Sequence, residues 1–260
     1  MQDLKITLVQ SEQYWEDKES NFRLFEQLLE NVGETDIIVL PEMFHTGFTM
    51  NASEMAEEMN GSKALSWLRE ISRQKKSVLY TSFIAKEGDK FYNRGVFMFP
   101  EGDSVYYDKR QLFSLAKEDL TFTAGTEKKI VSYKGWKILL QICFDLRFPE
   151  IQRNKIDKIT GEPEYDLMLT VANWPEKRSH HWKTLLAARA IENQAYVVGV
   201  NRVGEDASGL LYSGDSAVID ALGNDVSGIA PSVASVKTIV LNKKGLNDIR
   251  NALAFLKDRK

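Results

Sequence analysis

The chain has 260 residues and a mass of 29.6 kDa, a length that α/β folds often use as a single unit. Lys and Arg number 34 against 37 Asp and Glu, so the net charge is −3 and no global attraction to nucleic acid or an anionic membrane is expected. The longest apolar runs, such as the one after Lys137, are broken well short of the roughly 17–25 residues of a membrane helix. No basic segment leading into an apolar run is visible at the start, so no secretory signal is expected. One cysteine, Cys143, cannot form an intramolecular disulfide, and with three histidines it makes a poor zinc site. These features point to a soluble cytoplasmic protein.

Short β-type runs alternate with amphipathic helical ones along the chain. Residues 4–10 alternate and read as a strand, and 18–32 place Phe22, Phe25, Leu28, Leu29 and Val32 on one helical face. A short buried strand follows at 36–40. Ser62 is suited to cap a second helix whose stripe is Ala64, Leu65, Trp67, Leu68 and Ile71. The middle is richer in strands: 77–85, 91–99, 104–107, and 131–133 with 136–143 as a hairpin about Lys134-Gly135. A helix near 149–153, a strand at 166–171, a helix at 180–194 and a strand at 195–201 come next. Strands at 212–220 and 236–241 and a terminal helix at 246–256 complete the series. There are too many strands for a simple doubly wound sheet. One domain over 1–260, a four-layer α/β/β/α sandwich of two mixed sheets, is the expected fold.

Three reactive residues share a placement: Glu42 after the strand at 36–40, Lys109 after the one at 104–107, and Cys143 at the end of 136–143. Ligands in α/β folds gather beyond the carboxyl ends of strands, where buried strand bodies hold polar side chains in place. The Ala172-Asn173-Trp174-Pro175 segment, after a fourth strand, offers a wall for the same cleft. Each residue alone has an ordinary structural reading. A lone cysteine is commonly a small core hydrophobe, Trp174 a core or rim aromatic, and Asp145 with Arg147 a local ion pair fixing the loop after Cys143.

The surrounding words change that balance. Leu40-Pro-Glu-Met-Phe, Tyr107-Asp-Lys-Arg-Gln-Leu-Phe and Ile142-Cys-Phe-Asp-Leu-Arg-Phe-Pro-Glu resemble the three signature blocks of the nitrilase superfamily of carbon–nitrogen hydrolases. Asn173-Trp-Pro resembles a fourth block, and the segment from Ala187 to Asn193 resembles the helix that follows it. The resemblance implies Glu42 as general base, Lys109 as the cation beside the oxyanion and Cys143 as nucleophile. Glu118 falls where the family often has a second glutamate that orients substrate and lysine. Gln111 departs from the pattern, since many related sequences carry His there.

These residue types suit amide hydrolysis. A covalent route splits one hard step into two easier ones, and a thiol with an ordinary pKa of about 8.5 needs a base to become nucleophilic at neutral pH. Residues and base supply the chemistry, so neither a metal nor an organic cofactor is expected.

Within the superfamily the motif forms are most similar to ω-amidases, which hydrolyse the terminal amide of 2-oxoglutaramate and 2-oxosuccinamate. Such a substrate carries a carboxylate, so a further cation is expected in the cleft. Arg147, Arg178 and His181 are the candidates, with Trp174, Phe44 and Phe144 lining the rest of the substrate site. The resemblance also implies a homodimer. The Trp182, Leu185 and Leu186 stripe serves equally as contact surface or as core. Alternatives are an amidase acting on carbamoyl-amines or deaminated glutathione, a non-catalytic binding member, and a Cys–His hydrolase using His45, His180 or His181.

Overall fold

Alternation along the first strand decides the first layer: Leu4, Ile6 and Leu8 turn to one side and Val9 to the other, all fully buried. The computed structural model describes residues 2–259. In it Leu4–Gln10 pairs antiparallel with Ser235–Leu241 and parallel with Ile37–Val39. Ile37–Val39 pairs with Val78–Glu87, which continues through antiparallel neighbours Lys90–Met98 and Ser104–Asp108. A second mixed sheet runs Ala217–Ile219, Tyr196–Asn201, Leu167–Ala172, Trp136–Ile142, Ile130–Tyr133.

The two sheets face each other. Ile6, Ile37, Val39 and Val78 from the first meet Ile138, Leu140, Leu167 and Val198 from the second in one buried cluster. Burial of each such side chain contributes about 1.5–3 kcal/mol before its ordering entropy is set against it. Helices Lys18–Glu30 and Lys63–Lys75 cover the outer face of the first sheet through Phe22, Phe25, Leu29, Leu65 and Leu68. The second of these starts as its sequence requires, with the Ser62 hydroxyl accepting the Leu65 N–H at 3.0 Å. Helix Ser179–Asn193 covers the second sheet through Trp182, Leu186 and Ala190. The layers are α/β/β/α, as expected. Trp182 and Leu186 are fully buried, so of their two readings the core one holds.

The departures have local causes. The strand expected over 212–220 is two pieces, Leu211–Ser213 and Ala217–Ile219, because Gly214 and Asp215 both adopt positive φ between them. A side chain on Gly214 would sit 2.2 Å from the Gln10 amide. The helix expected near 149–153 is a single 3₁₀ turn, Pro149–Ile151. The terminal helix begins earlier, at Lys243–Ala252 capped by Asn242, and a separate 3₁₀ turn follows at Phe255–Asp258. No helix among the described residues is long and apolar enough to cross a membrane.

Candidate active site

Four strand ends converge where the sheets meet at one edge. Glu42 follows Ile37–Val39 and Lys109 follows Ser104–Asp108 in the first sheet; Cys143 follows Trp136–Ile142 and Asn173 follows Leu167–Ala172 in the second. Glu118 opens a one-turn helix, Glu118–Thr121, that the periodicity of the chain did not reveal.

Lys109 is the hub. Its Nζ lies 3.0 Å from Glu42 Oε1 and 2.9 and 3.0 Å from the two oxygens of Glu118, so all three ammonium protons are committed to carboxylates. All three side chains are fully buried. Burial works against the charge on Lys109, but Glu118 and then Glu42 outweigh it and push its pKa up. Further donors hold the same two carboxylates. Asn93 Nδ2 donates to Glu42 Oε1 at 2.8 Å and to Glu118 Oε1 at 3.3 Å. The Asn173 N–H donates to Glu42 Oε2 at 2.8 Å, and the Phe113 N–H to Glu118 Oε2 at 2.7 Å.

Cys143 sits at the junction of strand and 3₁₀ turn with φ at 45°, a left-handed conformation that costs a non-glycine residue energy. Its thiol is held well above the ordinary value, by burial first and then by Glu42, with Lys109 pulling the other way. The turn is fastened by Asp145, whose buried carboxylate accepts the Ile142 N–H at 3.0 Å, the Tyr107 hydroxyl at 2.8 Å and the Gln111 N–H at 2.9 Å. Asp145 therefore ties the Cys143 turn to the loop after Lys109. Burial raises its pKa to about 6 in spite of those donors. The expected ion pair with Arg147 is not formed: the Asp145 carboxylate is taken up by these groups, and the Arg147 guanidinium lies 4.6 Å over the Trp174 ring.

Above Cys143 opens a cleft of about 540 Å³ whose walls include Phe48, Phe144, Arg147, Trp174, Arg178 and Tyr212. Arg178 lies 5.3 Å over the Phe113 ring. Among the described residues neither Arg147 nor Arg178 has a carboxylate partner, and burial and then Arg178 lower the pKa of Arg147. Of the sequence-derived substrate residues, Phe144, Trp174 and Arg178 border the cleft, as does Arg147.

Two others do not. Phe44 is fully buried on the far side of the Glu42 loop, 5.8 Å from Phe25 and 5.3 Å from Trp67, because the helix layer there demands an aromatic plug. His181 stays outside the cleft wall and accepts from Arg147 Nη2 at 3.3 Å. His45 is fully buried and bonded to Glu57 at 3.1 Å, and no histidine among the described residues lines the cleft, so the Cys–His arrangement is not built. Asn93, Phe48 and Phe113 were not singled out from the sequence. Among the described residues no group of three or more His, Cys, Asp or Glu is arranged to hold a metal ion.

Comparison with known proteins shows the family to which the chain belongs. The family model for carbon-nitrogen hydrolases matches residues 5–241. An omega-amidase, YafV, from Yersinia enterocolitica is 44% identical over 99% of this chain and 97% of its own length. A 2-oxoglutaramate amidase from Paenarthrobacter nicotinovorans is 32% identical over 93% of this chain and 84% of its own. The crystal structure of XC1258 from Xanthomonas campestris, a CN-hydrolase superfamily protein with an arsenic adduct in the active site, superposes with a TM-score of 0.97 at 40% identity. It covers 100% of this chain and 98% of that one.

Proposed function

The chain belongs to the carbon–nitrogen hydrolase family, a hydrolase acting on amide C–N bonds, and on that premise we propose that it is an ω-amidase. It cleaves the terminal amide of a short acid, 2-oxoglutaramate in the first instance and 2-oxosuccinamate after it, to the dicarboxylate and ammonia. Sequence relatives named for these activities support the reading. The single observation that carries it is a lone thiol beside a buried Glu42–Lys109–Glu118 cluster, at the foot of a cleft bearing two guanidinium groups without carboxylate partners among the described residues.

The proposed course follows from the contacts. The resting thiol is neutral, so its proton leaves as the bond to the substrate carbon forms. Glu42 receives it on Oε2, the oxygen that holds one donor where Oε1 holds two. Sulfur attacks the amide carbon, and the oxygen becomes an oxyanion beside Lys109. One Lys109–Glu118 contact opens to release an ammonium N–H towards it. Losing an oxyanion donor typically costs about 2.7–4 kcal/mol of transition-state stabilisation. Glu42 returns the proton to nitrogen, ammonia departs and a Cys143 thioester remains. Water, deprotonated by Glu42, attacks that thioester, and the proton passes back to the thiol as the acid leaves.

Arg147 and Arg178 hold the distal carboxylate, while Trp174 and Phe144 flank the spacer. The enzyme acts as one hydrolase domain, as a homodimer, and in the cytoplasm, where an unpaired thiol stays reduced. Ammonia release from a panel of amides tests the substrate class. The reading fails if neutral aliphatic amides or carbamoyl-amines exceed 2-oxoglutaramate by more than about tenfold in kcat/KM, about 1.4 kcal/mol.

A further inference from the structure

Two carboxylates and one ammonium share a fully buried site. Glu42 and Glu118 both lean on Lys109, which has no fourth proton to give, so the cluster carries one uncompensated negative charge. A low-dielectric site with an excess negative charge tends to take up a proton, and a protonated Glu42 is no base. A neutral donor reaching both carboxylates relieves this without adding a cation that would weaken Glu42 as a base.

One side chain has that placement. Asn93 stands in the strand Lys90–Met98, 1% exposed, and its Nδ2 reaches Glu42 Oε1 at 2.8 Å and Glu118 Oε1 at 3.3 Å. Its carbonyl also accepts the Lys109 N–H at 3.0 Å. It thus touches all three charged members of the cluster. Its Oδ1, by contrast, is buried with no hydrogen-bond partner among the described residues. A buried acceptor left unpaired is costly, and an apolar side chain would serve packing better. The amide's contribution lies in its N–H₂ end.

We propose that Asn93 is a positioning residue that keeps Glu42 and Glu118 ionised together and so sets the pH range over which Glu42 works as the base. The proposal rests on Glu42 being that base. The charged and titratable groups facing it are Lys109, Glu118, the Cys143 thiol and the buried Tyr80 hydroxyl, with the Asn173 N–H as the remaining donor.

The test compares pH profiles of kcat/KM for the wild type, Asn93→Leu, Asn93→Ser and Glu42→Gln, each checked for its thermal midpoint. Removing a donor to the ionised form favours the protonated one, so Asn93→Leu should move the acid limb upward by about one pH unit. Its kcat should fall about tenfold or more with KM little changed, a loss confined to the chemical step. Asn93→Ser, which keeps a small donor, should recover part of the shift, and it carries the test if the leucine variant does not fold. A lowered thermal midpoint with the acid limb unmoved would leave Asn93 a structural residue only and overturn the proposal. Activity surviving in Glu42→Gln would instead remove the base assignment on which it rests.

Discussion

Asn173 and Glu42 are joined twice, across 131 positions of sequence and across the two sheets. The Asn173 N–H donates to Glu42 Oε2 at 2.8 Å, and its side-chain Nδ2 donates to the Glu42 carbonyl at 2.6 Å. Backbone and carboxylate of Glu42 are therefore both referenced to the strand next to that of Cys143. Asn173→Ala keeps the N–H contact and removes the other. Displacement of about 1 Å at a reacting group can cost on the order of 10²-fold in rate. Steady-state kinetics should show kcat reduced by about tenfold or more while the far-ultraviolet dichroism stays that of the wild type.

The thiol itself gives a second prediction. Burial, then Glu42, holds Cys143 well above its ordinary value, against the pull of Lys109. The sign is that of an acid whose charged form is disfavoured, so the free enzyme should alkylate slowly at neutral pH and faster as pH rises past 9. A rate with iodoacetamide that is already at its plateau near pH 7 would mean a preformed thiolate. With a substrate amide, quenched wild-type enzyme should carry an acyl mass on Cys143, and Cys143→Ala should neither acylate nor turn over.

Acid sensitivity should come from the far side of the Glu42 loop. Burial holds His45 below 6.5, so unfolding must bind a proton to it below that pH, and its contribution to stability falls as pH drops through about 6.5. Burial opposes the Glu57 carboxylate too, but His45, Ala64 and Ser62 as donors more than offset it and hold its pKa below 4.5. Its contribution, present above about 4.5, is lost as pH falls further. Thermal midpoints should fall from pH 7 to pH 5 in the wild type and fall less in His45→Phe. Equal slopes in the two would place the acid sensitivity elsewhere.

How far the sequence led depends on what kind of physical signal each residue carries. The strand Leu4–Gln10 alternates and lies where the pattern puts it, and Ser62 caps its helix, because both rest on local periodicity and local hydrogen bonds. Phe44 lies away from its expected place for the opposite reason. It stands two residues from Glu42, but whether it faces the cleft or the helix layer is decided by how Met43, at φ 46°, turns the chain. No spacing rule reports that turn. Asp145 and Arg147, two apart, suggest a pair; the fold brings Tyr107 and Gln111 to Asp145 instead, and only tertiary structure could do so. Asn93 was silent because a polar residue in a strand reads as solvent-facing until both faces of the sheet are seen to be covered.

Lys109 depends on a glycine that no motif includes. Gly125 donates its N–H to the Lys109 carbonyl at 2.9 Å, and a Cβ there would come within 2.2 Å of the Asp108 carbonyl oxygen. Backbone rather than a flexible side chain occupies the space, so Gly125→Ala must push the strand end that carries Lys109. The expected result is a kcat loss of about tenfold or more, by the same sensitivity to misplacement. KM should change little, because Gly125 lies away from the cleft walls.

The two cleft guanidiniums are separable by substrate. Arg147 lies over Trp174 and Arg178 over Phe113, each aromatic face shielding one side of the cation and leaving its edge for an anion. Both border the same cleft, and neither has a carboxylate partner among the described residues. A substrate carboxylate between them would face donors of fixed fork geometry. Truncating one partner of such a charge pair costs about 2–5 kcal/mol of binding. Arg147→Met and Arg178→Met should therefore raise KM for 2-oxoglutaramate by at least about tenfold, or 1.4 kcal/mol. Each should leave the rate on a neutral aliphatic amide within about threefold, since that substrate has no charge to lose. Equal losses on charged and neutral amides would show that the arginines serve the shape of the cleft, and the carboxylate would need another partner.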